Sequence, residues 1–220
     1  GLADITYLQV IPNARRIISI GLNYREHAAE MGLKFPENPS LFSKWLEDLG
    51  HEQDIVRPKS SSHFDYEGEL AFIIGKPGRH IAEGAALDHV AGYTPFLDGS
   101  VRDCPGHSVI AGKNCQHSGA CGPWMTTADE VPDPGNLRLT TRLNGETVQD
   151  ESTEQLFYSV ANIIAYVSQC TLLHPGDVIA TGTPSGVGAG RKPPLWMQPG
   201  DRIEVEISGL GRLANNVVAE

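Results

Sequence analysis

The sequence predicts a mixed α+β fold, rich in β-strand and carrying a few short helices. Three observations predict it. The 220 residues include 24 Gly and 15 Pro, which favours many turns and short strands over a helical bundle. Short apolar runs recur between turn signals, from Ile17-Ile18 to Val217-Val218. Only one stretch, near 154–169, carries a long helical period. The length suffices for a full core, and no composition break marks a linker, so one domain over 1–220 is expected.

Taken in order, residues 16–21 read as a short buried strand. Asn23 offers a helix cap, and 24–33 reads as a short helix. The prolines at 36 and 39 end it. Residues 41–45 read as a strand. Residues 47–63 are polar and irregular, the pattern of a mobile loop or lid. Residues 65–75 read as a strand, followed by a short helix near 82–87 and a strand over 90–98.

Residues 99–122 are polar and Gly-rich, around Arg102, Asp103, His107 and Lys113. Residues 132–135 form a turn. Residues 137–143 alternate cleanly, and Asn144-Gly145 is a hairpin signal. Ser152 or Thr153 caps a helix over about 154–169, whose Leu156, Val160, Ile163, Ile164 and Val167 keep helical spacing. Pro175-Gly176-Asp177 turns into a strand over 178–181, and 182–190 is a glycine-rich loop. Pro199-Gly200-Asp201 turns into a strand over 203–207. A hairpin through Gly209-Leu210-Gly211 closes the chain.

Composition narrows the function. A net charge of −10 argues against nucleic acid as a partner. No apolar run approaches the roughly 20 residues of a membrane-spanning helix. The start at Gly1 shows no signal-peptide pattern and reads as a trimmed terminus, so a cytoplasmic location is expected. Cys104, Cys115, Cys121 and Cys170 have neither Cys-x-x-Cys nor zinc-ligand spacing, and are expected as reduced thiols.

The chemistry concentrates in the strand over 65–75. Side chains alternate along a strand, so Glu67 and Glu69 share a face with Ala71 and Ile73. Tyr66, Leu70, Phe72 and Ile74 occupy the other. A Glu-x-Glu pair on a strand is usually a solvated face. Here both faces turn apolar, so the carboxylates enter an interior and need a cation. Asp98 ends a second apolar strand and offers a third carboxylate. Three hard oxygen ligands suit Mg²⁺ or Mn²⁺ better than zinc.

His27 and Glu30 share a helix face three residues apart. They read either as a surface pair or as a general base oriented by a carboxylate. Lys44, Arg102 and Lys113 read singly as surface charges, and together as partners for an anionic substrate. The glycines at 186, 188 and 190 lack the lysine of a phosphate loop. They precede Lys192-Pro193-Pro194 rather than a helix, so no dinucleotide fingerprint is present.

Taken together, these stretches resemble the fumarylacetoacetate hydrolase superfamily. The matching segments are Ile20-Gly21-Leu22-Asn23-Tyr24-Arg25-Glu26-His27, Leu41-Phe42-Ser43-Lys44, Asp65-Tyr66-Glu67-Gly68-Glu69-Leu70 and Ala91-Gly92-Tyr93. Asp98 with Arg102-Asp103, Gly112-Lys113, Gly176-Asp177 through Thr181-Gly182-Thr183-Pro184, and Pro199-Gly200-Asp201 complete the series. They run in family order from about residue 17 to the C-terminus.

The resemblance implies a mixed β-sandwich roll, a homodimer, and Mg²⁺ or Mn²⁺ on Glu67, Glu69 and Asp98. It implies a small anionic 2-oxo or β-diketo acid as substrate. His27 and Glu30 match the pair that delivers water in acylpyruvate-cleaving members. Lys113 matches the lysine near the reacting oxygen. Lys44, Arg102 and Thr183 match positions lining the substrate pocket.

The chain departs from the family pattern at Lys113-Asn114-Cys115-Gln116, at Leu97 before the acid, and at Trp45 after Lys44. These changes bear on the substrate more than on the metal. The expectation is a metal-dependent hydrolase of acylpyruvate-type C–C bonds. Its rivals are an oxaloacetate-type decarboxylase or dienoate isomerase or hydratase on the same scaffold, and a binding protein without activity.

Overall fold

A computed structural model describes residues 7–45, 49–50, 53–104 and 108–220. His107, and Glu47 within the 47–63 stretch, lie outside them. In chain order the strands and helices are β1 (Ile17–Gly21), α1 (Arg25–Glu30), β2 (Ser40–Lys44), β3 (Leu49–Gly50), β4 (Ile55–Arg57), β5 (Phe64–Asp65), β6 (Gly68–Ile74), β7 (Val90–Leu97), β8 (Ser100–Val101), α2 (Val109–Lys113), β9 (Gly119–Cys121), β10 (Thr126–Thr127), β11 (Arg138–Leu143), β12 (Glu146–Ser152), α3 (Val160–Cys170), β13 (Val178–Ala180), β14 (Arg202–Ile207) and β15 (Gly211–Ala219). The strand-rich α+β class read from the sequence is the class observed.

Two large sheets carry the fold. One runs β2-β1-β13-β6-β7-β9-β3, with β10 also paired to β7, and the other runs β12-β11-β14-β15-β4. Both are mixed: β1 pairs with β13, β3 with β9 and β4 with β15 in parallel. Strand β6 is buried along its whole length, and its alternation sorts its side chains as predicted. Leu70, Phe72 and Ile74 enter a core with Leu139, Ile163, Ile164 and Ile207. Ala71 and Ile73 enter another with Ile17, Phe96 and Val178. A third core joins Phe64, Tyr66 and Leu97 to Val205 and Leu213 of the second sheet.

Several boundaries differ from the sequence reading. Helix α1 is shorter and starts at Arg25 without a side-chain cap. Asn23 instead donates from Nδ2 to Tyr158 O and Thr181 O and accepts from Tyr158 N, so tertiary bonds take the group a cap would need. Helix α3 begins at Val160, capped by Ser159 in a reciprocal box with Asn162. Ser152 caps only a 3₁₀ turn over Thr153–Gln155. The 82–87 helix is a 3₁₀ helix over Glu83–His89.

The 47–63 stretch, read as irregular, contributes edge strands β3 and β4. Two- and three-residue parallel strands leave no alternating pattern to read. The 99–122 stretch holds β8, α2 and β9, each too short for a periodic signal. The Asn144-Gly145 turn joins β11 to β12 with both residues at positive φ, as the hairpin signal predicts. All four cysteines are thiols. Among the described residues, no helix is long and apolar enough to cross a membrane.

Candidate active site

Glu69 lies on β6, Glu67 just before it, and Asp98 just beyond β7. Residues Gly68 and Leu97 pair directly, so the antiparallel register brings the acids together. Ligand oxygens from all three lie within 4.8 Å of one another. Each acid is buried, with Asp98 at 0% exposure.

Three cations surround them. Lys113, at the end of α2, donates from Nζ to Glu67 Oε2, and lies 3.0 Å from Asp98 Oδ2. Lys44 Nζ is 2.9 Å from Asp98 Oδ1 and donates to the Lys113 carbonyl. Arg102 donates from Nε to Asp65 Oδ2 at 2.8 Å and from Nη2 to Glu67 Oε1 at 2.6 Å.

The electrostatics follow from this placement. Burial works to raise the Glu67 pKa, but Lys113, Arg102 and His27 outweigh it and hold the carboxyl below its usual range. Glu69 goes the other way: burial, then Asp98 and Glu67, push it well up. For Lys113 burial works downward, and the facing Asp98 and Glu67 raise it instead.

The donor set fits a hard divalent cation. Three carboxylates converge, and burial, with the charges of the other two, pushes Glu69 toward its neutral form. Asp98 Oδ1 is buried without a hydrogen bond; Lys44 reaches it as a charge but not along a hydrogen-bonding direction. Buried oxygens of this kind call for an oxygen-seeking ion.

His27 is buried on α1, and its Nδ1 lies 3.4 Å from Glu30 Oε2. Glu30 is fixed in turn by the Gly186 N–H, 3.0 and 3.1 Å from its two oxygens. The glycine-rich loop thus grips the helix that carries His27. A Cβ on Gly186 would meet Val148 O at 2.1 Å.

Thr183 is buried, and its hydroxyl donates to Gly68 O at 2.9 Å. A pocket of ≈ 170 Å³ opens beside Arg102 and Lys113 and is lined also by Ser100, Cys104 and Val109. Of the sequence-predicted residues, Lys44, Lys113 and Arg102 contact the acid cluster directly and Thr183 reaches it through Gly68, whereas His27 and Glu30 pair with each other on α1.

Supporting residues escaped the sequence reading. Asp65 accepts from Gly188 N at 2.7 Å, from Ala189 N at 3.1 Å and from Arg102, tying the glycine loop to the cation. Gln149 contacts Gly68 and Thr183. Asn114 accepts from Trp45 N at 2.6 Å and donates to Ser43 O and Ile110 O. It pins the Lys113 end of α2 to the strand bearing Lys44. An unusual residue after Lys113 was the available signal for Asn114. Asp65 stood in the most distinctive motif of the chain, and Gln149 carried no signal.

Comparison with known proteins agrees with this arrangement. Residues 16–218 match the family model described as fumarylacetoacetate (FAA) hydrolase C-terminal. The human mitochondrial protein named oxaloacetate tautomerase FAHD2A is 39% identical over 221 residues, covering 98% of this chain and 70% of that protein. The fumarylpyruvate hydrolase of Pseudomonas aeruginosa, solved with Mn²⁺ and pyruvate, superposes with a TM-score of 0.86. It is 33% identical, covering 99% of this chain and 93% of that one. The 5-carboxymethyl-2-hydroxymuconate delta-isomerase of Mycobacterium smegmatis superposes at 0.87 with 33% identity, covering 100% and 84%. With the motif order, the sheets and the acid cluster in agreement, the chain belongs to the fumarylacetoacetate hydrolase family.

Proposed function

We propose that the protein is a divalent-metal-dependent enzyme, using Mg²⁺ or Mn²⁺ on Glu67, Glu69 and Asp98, that hydrolyses a C–C bond of an acylpyruvate or related β-diketo acid. The observation that carries this reading is the His27–Glu30 pair, with His27 buried, its Nδ1 3.4 Å from Glu30 Oε2, and Glu30 fixed in turn by the Gly186 N–H. Glu67, Glu69 and Asp98 would hold a divalent ion, which would supply positive charge to an anionic 2-oxo acid.

The remaining roles fall to this chain's own groups. Glu30 holds His27 through Nδ1, so that Nε2 takes a proton from water as general base. Lys113 presents its ammonium to the reacting oxygen. Arg102 and Lys44 hold a small anionic substrate by charge, and Thr183 is assigned as a further substrate contact. Burial of His27, Lys44, Lys113 and Thr183 excludes bulk water and strengthens the charge interactions there. A homodimer is the assembly we propose with this activity.

The similarity to a human oxaloacetate tautomerase over 98% of the chain favours a second reading. There the same acids and Lys113 serve a proton shift or decarboxylation on an oxaloacetate-type acid, without water attack through His27. Isomerisation of a dienoic acid belongs to this second reading, favoured by the isomerase neighbour. The test is a panel of acylpyruvates, oxaloacetate and dienoic acids, followed by ultraviolet absorbance with Mg²⁺ and with Mn²⁺. Cleavage of an acylpyruvate supports hydrolysis. Turnover of oxaloacetate or a dienoate alone supports the second reading, and metal binding without turnover of any member contradicts both.

A further inference from the structure

Gly68 is the single residue between two of the three clustered acids, and its peptide groups are held from outside its own strand. Gln149 Oε1 accepts the Gly68 N–H at 2.9 Å. The same amide donates from Nε2 to Thr183 Oγ1 at 2.7 Å and to Pro184 O at 2.9 Å. Thr183 Oγ1 in turn donates to Gly68 O at 2.9 Å. Both ends of one side chain therefore converge on one residue: the N–H directly and the carbonyl through Thr183.

The topology makes this convergence consequential. Gln149 is 2% exposed and sits on β12, at an edge of the five-stranded sheet, whereas Gly68 begins β6 in the interior of the eight-stranded sheet. A Cβ on Gly68 would lie 2.1 Å from Thr141 Oγ1 and 3.3 Å from Gln149 Oε1. The glycine lets the second sheet approach, and the glutamine fixes the approach at that point. An amide satisfied for packing alone would find partners anywhere along the sheet; this one spends its bonds around the peptide that spaces Glu67 from Glu69.

We propose that Gln149 is a positioning residue: through the Gly68 peptide it fixes the separation and aim of the Glu67 and Glu69 carboxylates, and so sets the affinity of the acid cluster for a divalent ion. This deepens the proposed metal-dependent function and rests on it. Partners that orient metal ligands from behind are typically worth about 10- to 100-fold in metal affinity.

The test is calorimetric titration of the full chain with Mn²⁺, for the wild type, Gln149→Met and Gln149→Asn, together with thermal melting of each without metal. Both variants are expected to melt cooperatively and to bind Mn²⁺ about 10- to 100-fold more weakly than the wild type. Affinities within about twofold of the wild type, well short of that range, overturn the proposal and leave the metal reading standing. Absence of Mn²⁺ binding by the wild type overturns the metal reading and this proposal with it. Loss of cooperative melting in both variants assigns the amide to folding and overturns the positioning role.

Discussion

Glu30 receives the Gly186 N–H across both of its carboxylate oxygens, at 3.0 and 3.1 Å, so the glycine-rich loop and the helix bearing His27 are fixed to one another. A carboxylate anchored in this way can hold an imidazole in one orientation. Glu30→Ala removes the anchor and leaves His27 in place. The expected result is a fall in hydrolysis on the order of 10²-fold, the lower end of what general-base catalysis contributes, with Mn²⁺ affinity retained. Steady-state kinetics beside a Mn²⁺ titration check it.

The acid cluster predicts that metal stabilises the fold. Saturation at about 100 times the dissociation constant adds about 2.7 kcal/mol to the stability of a protein that binds only when folded. Mn²⁺ is therefore expected to raise the melting temperature of the wild type and chelator to reverse the rise. Glu69→Gln and Asp98→Asn are expected to lose most of the Mn²⁺-dependent shift, which differential scanning fluorimetry reads directly.

Asp103 predicts a pH dependence. Burial works to raise its pKa, but hydrogen bonds from the Ser61 hydroxyl and the Ser62 N–H outweigh it and hold it below the usual value. With the folded pKa below the unfolded one, its contribution is present above the unfolded value of about 3.9 and is lost as pH falls through the folded one. Asp103→Asn is expected to lower the melting temperature at neutral pH and to lose its effect in acid. Thermal melts across the pH range check this.

Helix α3 gives a stability prediction that separates two serines. Ser159 accepts the Asn162 N–H and is joined by the reciprocal bond of a capping box. Ser159→Ala is expected to cost about 1 kcal/mol. Ser152 caps only a 3₁₀ turn, so Ser152→Ala is expected to cost a smaller amount. Urea unfolding of the two variants discriminates them.

That pair of serines also shows where sequence reading stopped. Both precede apolar residues at helical spacing, and the choice between them was made by Asn162, whose side chain closes the box. Strand β6 was legible because period-two alternation sorts Glu69, Ala71 and Ile73 from Leu70, Phe72 and Ile74 with no need of tertiary information. Helix α2 was not, because five residues are too few to show a period, although its last residue, Lys113, stood out by chemistry. Gln149 was invisible: in Glu146-Thr147-Val148-Gln149 it reads as one more polar position on a hairpin, and only the approach of the two sheets gives it partners. Asn23 misled for a related reason, since a residue able to cap a helix is equally able to bind distant backbone.

The central claim is that His27 supplies the base that makes this site a hydrolase. The most direct measurement is the rate of acylpyruvate cleavage by the wild type and by His27→Ala at saturating Mn²⁺, with Mn²⁺ affinity measured on both. The account predicts cleavage by the wild type and a loss of about 10²- to 10⁴-fold in the variant, with metal binding unchanged. Equal cleavage by the two proteins would contradict it.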